Sequence, residues 1–80
     1  MAFYVIISKV SETPEKVVYS FGPSEDKMGS LEFNKNDGTG KEIKAVPTNN
    51  PSAFYIRAWA KIYRHWRQEG ILPEQTEWAS

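Results

Sequence analysis

The apolar residues of this 80-residue chain change their spacing once, and that change fixes the fold class. Through the first 46 residues they recur in short runs that alternate with polar positions. From Tyr55 onward, Tyr55, Trp59, Ile62 and Trp66 follow at spacings of four, three and four. Side chains switch faces at every residue of a strand and return to one face about every 3.6 residues of a helix. Strands followed by a single helix make an α+β domain.

From Phe3 to Val10 nearly every residue is apolar or β-branched, which predicts a strand near the middle of a sheet over about residues 2–10. Val17, Tyr19 and Phe21 alternate with Val18 and Ser20 in a half-buried strand over about 16–21. Gly22, Pro23, Ser24, Glu25 and Asp26 make a turn. Leu31 and Phe33 mark a third strand over about 29–35. Asp37 and Gly38 give a strong hairpin signal, because Asp-Gly suits the primed turns that match strand twist. Ile43 and Ala45 are then expected to face one way and Glu42 and Lys44 the other, in a charged edge strand over about 41–46.

The helix is expected over about residues 51–69. Asn50 or Ser52 can cap it, and Pro51 sits where a missing N–H costs nothing. Gly70 can end it in the left-handed conformation, with Ile71 closing the cap and Pro73 preventing continuation. Together these elements predict a four-stranded antiparallel meander with one long C-terminal helix on the face that carries Val17, Tyr19, Phe21, Leu31, Phe33 and Ile43. The whole chain, residues 1–80, is read as one domain, with a polar tail over 74–80 that packs through Trp78. One helix covers one face, so Tyr4, Ile6 and Val18 are left as a candidate interface on the other, open to the tail, a protein partner or a second copy in a homodimer.

Several chemistries are excluded or disfavoured. There is no cysteine, so disulfides, thiolate metal sites and cysteine nucleophiles are ruled out. His65 is the one histidine, too few for a usual zinc site. It lies between Arg64 and Arg67 at the border of the apolar stripe, where it reads as a side chain covering the core, with Glu69 four residues on as its partner. The stretch from Asn34 to Gly40 resembles a calcium loop only superficially, because aligning either glycine puts Phe33 or Lys35 at the first ligand position. Gly38 and Gly40 lie between two strands rather than before a helix, so no phosphate cradle is expected. Glu25 and Asp26 read as solvated turn residues of ordinary acidity. No metal, cofactor or enzymatic activity is expected.

The charge pattern carries the remaining signal. Ten Lys and Arg balance ten Asp and Glu overall. Between residues 53 and 68, however, Arg57, Lys61, Arg64 and Arg67 occur with no acid, whereas Glu69, Glu74 and Glu77 follow without a cation. A basic helix face of this kind is either a solvated surface or a surface for phosphates or acidic proteins. No segment is long and apolar enough to span a bilayer, and the apolar start has no basic residues before it, so a cytoplasmic location is expected. The predicted function is that of a small non-enzymatic binding protein of the adaptor, inhibitor or antidote type. The alternative is a nucleic-acid-binding module that uses Arg57, Lys61, Arg64 and Arg67.

Overall fold

A computed structural model describes residues 4–79. Five antiparallel strands and one helix form an α+β fold: β1 (Tyr4–Glu12), β2 (Lys16–Ser24), β3 (Lys27–Asn34), β4 (Gly40–Lys44), α1 (Pro51–Glu69) and β5 (Gln75–Ala79). The strand order is β4-β3-β2-β1-β5. The first four strands form the expected meander. The expected tail is a strand, pairing Tyr4 with Ala79 through Ser8 with Gln75, so β1 has a neighbour on both sides. Ala2, Phe3 and Ser80 fall outside the described residues.

The chain leaves one edge of the sheet at β4 and re-enters it at the other. Four strand spacings span about 19 Å, and the 19-residue helix is about 28 Å long, so α1 and its connections can bridge the sheet while covering one face. That face is the core. Val5 and Ile7 of β1, Val17, Tyr19 and Phe21 of β2, and Leu31 and Phe33 of β3 are fully buried against Ala58 and Ile62 of α1. Tyr55, Trp59, Tyr63 and Trp66 pack around this cluster, joined by Leu72 and Trp78.

The helix starts and stops largely as its sequence dictates. Pro51 opens it. Asn50 occupies the capping position without making a side-chain cap bond. Gly70 closes it at φ +68°, its N–H donating to the Trp66 carbonyl at 3.2 Å. Ile71 does not close the cap, because it is 58% exposed; Leu72 turns inward in its place.

Ile43 also departs from expectation. Ser30 pairs with Lys44 and Leu31 with Glu42, so a bulge skips Ile43 and leaves it 55% exposed. Val46, just past the strand, fills the core instead. All five residues of β4 are exposed, in keeping with a charged edge.

The β3–β4 turn is fitted to the helix. Gly38 has φ +77° and donates its N–H to the Asn34 carbonyl at 2.9 Å. Its own carbonyl accepts from the Trp59 indole N–H at 3.1 Å. Trp59 and Tyr63 stack at 5.0 Å, and Trp66 meets Phe33 edge-on at 5.6 Å, so the turn rests on a continuous aromatic wall. At the opposite side of the core, the buried Tyr19 hydroxyl donates to the Pro73 carbonyl at 2.6 Å and fixes the segment that leads into β5. Burial, reinforced by Glu12 and Glu74, pushes this phenol far above its usual range.

Candidate functional site

The two flanks of α1 meet different neighbours. Tyr55, Trp59, Tyr63 and Trp66 serve the β3–β4 side, as the ring contacts show. Lys61, Arg64 and His65 border β5. His65 is half-buried, with Nδ1 3.2 Å from Glu69 Oε2 and Nε2 3.2 Å from Thr76 Oγ1. It thus has the expected Glu69 partner, and it also pins the helix to β5.

The residues of the candidate basic face have different neighbours. Arg57 donates from Nη1 to the Ala53 carbonyl one turn back at 3.2 Å. Lys61 and Arg64 converge on Trp78 and Ala79 around a shallow depression of about 220 Å³. The Arg64 guanidinium carbon lies 5.9 Å from the centre of the Trp78 ring, within cation–π range. Arg67 is exposed in the last helical turn, where a cation suits the helix dipole. At about 100° per residue it falls about 60° round from Arg64, away from β5. The structure therefore brings Lys61 and Arg64 together over Trp78, with Arg57 one helical turn before Lys61 on the same face and Arg67 turned away from them.

On the opposite face of the sheet, the ladder places the other candidates in rows. Tyr4 and Ile6 are neighbours on β1, beside Ala79 and Glu77 of β5. Tyr4 is 46% exposed. With Gln75, Thr76 and Glu77 they line a second shallow depression, of about 280 Å³. Val18 pairs with Ser11 and Glu32 and lies two rows away. The row between contains Ser8, Ser20 and Ser30, with Ser20 Oγ donating to the Ser8 carbonyl at 3.4 Å. Tyr4 and Ile6 are thus a local apolar corner, and Val18 is a separate residue in polar surroundings.

A polar cluster unmarked in the sequence sits at the far end of β1. Glu12 accepts from Lys9 at 2.8 Å and from Lys35. These two hydrogen bonds, Lys35 first, lower its carboxyl from 4.5 to about 2. The residues lie 3, 23 and 26 positions apart in sequence, so only the folded chain unites them. Asp26 also departs from ordinary acidity, because the Ser24 hydroxyl donates to it at 2.6 Å and lowers its pKa.

Among the described residues no three His, Asp or Glu side chains group as metal ligands, and no helix is long and apolar enough to cross a membrane. In comparison with known proteins, no family model, curated protein or solved structure matches the chain.

Proposed function

We propose that this is a small non-enzymatic cytoplasmic protein that acts by binding another protein, as an adaptor, inhibitor or antidote, through the β1–β5 side of its sheet. One observation carries the reading: the corner formed by the exposed Tyr4 and the half-buried Ile6 adjoins β5, which has a single partner strand among the described residues. An apolar corner next to a sheet edge gives a partner both surface to bury and hydrogen bonds to make. The cysteine-free composition suits a reducing compartment.

The test is affinity purification from the native host, comparing the parent with Tyr4→Lys and Ile6→Glu. A protein recovered with the parent and lost with both variants supports the reading, provided that the variants keep the parental circular dichroism. A protein retained by both variants contradicts it. Sedimentation of the purified chain reports whether that protein is a second copy.

Nucleic-acid binding is the second reading, favoured by the outward exposure of Arg64 and Arg67 on the acid-free helix face. It requires a steep salt dependence, with a log–log slope of about −0.9 per phosphate neutralised on duplex DNA. Arg57→Gln, Lys61→Gln and Arg64→Gln combined would abolish such binding. The engagement of Arg57 with its own helix and of Arg64 with Trp78 weighs against it.

A further inference from the structure

Among the described residues β5 pairs with β1 alone, and the register fixes the direction of its remaining backbone groups. The Lys9 N–H donates to the Glu74 carbonyl at 2.8 Å, one step beyond the Ser8–Gln75 pair and in register with it. Hydrogen-bonded pairs alternate along an antiparallel ladder, so Ile7–Thr76 and Val5–Trp78 are the bonded pairs. Gln75, Glu77 and Ala79 therefore turn their N–H and C=O groups away from the sheet. Their side chains lie on the open face, and those of Thr76 and Trp78 lie on the helix face.

The helix side of this free edge is basic at Trp78 and Ala79, whereas at Thr76 it meets His65, which is paired with Glu69. Lys61 and Arg64 stand over Trp78 and Ala79, and none of the ion pairs among the described residues includes either cation. The cation–π contact with Trp78 holds the Arg64 guanidinium near the edge, where its N–H groups can meet a carboxylate. The open-face side of the edge carries Glu77 and is acidic. The other edge strand is a poor alternative, because β4 is bulged at Ile43 and carries Lys41, Glu42 and Lys44 in mixed sign.

We infer that β5 accepts an added strand from the partner: an extended segment with acidic side chains at alternate positions, its backbone bonded to Gln75, Glu77 and Ala79 and its carboxylates facing Lys61 and Arg64. This rests on the protein-binding reading above. The strand's intervening side chains lie beside Gln75 and Glu77, where further acids would be repelled. Alternation, rather than total negative charge, is therefore what the edge selects.

The experiment is an NMR titration of the full 15N-labelled chain with three end-capped nonapeptides: alternating Glu and Thr, alternating Lys and Thr, and all Glu. The Glu–Thr peptide should bind tightest and shift the amides of Gln75, Glu77 and Ala79 most. Lys61→Gln with Arg64→Gln should weaken it about tenfold, the loss expected of a charge-assisted hydrogen bond. N-methylation of alternate peptide amides in the register that faces β5 should abolish binding, with no change to the protein. Equal binding of the Lys–Thr peptide, tighter binding of the all-Glu peptide, indifference to N-methylation in both registers, or no binding at millimolar peptide would each overturn the inference. If a partner that depends on Tyr4 and Ile6 is still captured from the host, that failure belongs to the edge and not to the protein-binding reading.

Discussion

Replacing Gly38 and Gly70 separately by Ala compares two left-handed glycines that differ in what surrounds them. Gly38 has φ +77° and Gly70 φ +68°, so the backbone cost of a side chain is similar, about 1–2 kcal/mol each. A Cβ on Gly70 would meet nothing within 4 Å. A Cβ on Gly38 would lie 2.7 Å from both Trp66 Cζ3 and Tyr63 Cε2, about 1 Å inside carbon contact distance. Either the turn must lift or two packed rings must move, an overpacking cost of about 1–3 kcal/mol. The expected losses are therefore about 1–2 kcal/mol for Gly70→Ala and about 2–5 kcal/mol for Gly38→Ala. A chain of this length is stable by about 4–12 kcal/mol in total, so the second variant sits near the limit of folding. Urea unfolding followed by tryptophan fluorescence measures both, with the difference read at a common slope. Equal losses at the two sites would refute the seating of the β3–β4 turn on the aromatic wall. Because the turn lies at the β4 side, any folded Gly38→Ala protein should still bind a β5-side partner.

Other consequences are as direct. Tyr19→Phe removes a buried hydroxyl and strands the Pro73 carbonyl, which should cost about 1–3 kcal/mol; amide exchange should rise first at Thr76 and Trp78, and unchanged exchange there would show that Pro73 does not anchor β5. Trp59→Ala loses both its packing on Tyr63 and its bond to Gly38, with a penalty of about 3 kcal/mol expected in the same urea assay because the indole is only half-buried; a midpoint that scarcely moves would contradict it. The folded-state pKa of Glu12 is depressed, so its ion pairs contribute stability that is present above 4.5 and is lost as pH falls towards about 2. Carboxyl 13C NMR should find its midpoint near 2, and a midpoint near 4 would place Lys9 and Lys35 elsewhere.

The helix was legible because several local signals agree: four aromatic and aliphatic residues on one face, Pro51 at the start and Gly70 at the end. β2 and β3 were legible because period two survives along Val17, Tyr19 and Phe21 and along Leu31 and Phe33, all fully buried. Ile43 was misread because alternation fails across a bulge, and a bulge leaves no mark in sequence when both flanking residues are charged. β5 was missed as a strand for a different reason. Gln75 to Ala79 includes one large apolar residue, Trp78, and its strand state is imposed by the exposed side of β1 and by Tyr19 holding Pro73. The grouping of Lys61 and Arg64 with Trp78 depends on that strand and was equally hidden. Tyr4 and Ile6 could be paired from spacing alone, whereas the separation of Val18 required the register of β1 on β2.

The location of the binding surface is open to one direct measurement. Amide and side-chain shifts of the 15N-labelled chain, recorded on adding the protein partner recovered from the host, should be concentrated at Tyr4, Ile6, Gln75, Glu77 and Ala79. Shifts centred on Ile56 and Arg67 of the outer helix face, or on Lys41 to Lys44 of β4, with Tyr4 and Ile6 unmoved, would contradict binding through the β1–β5 side.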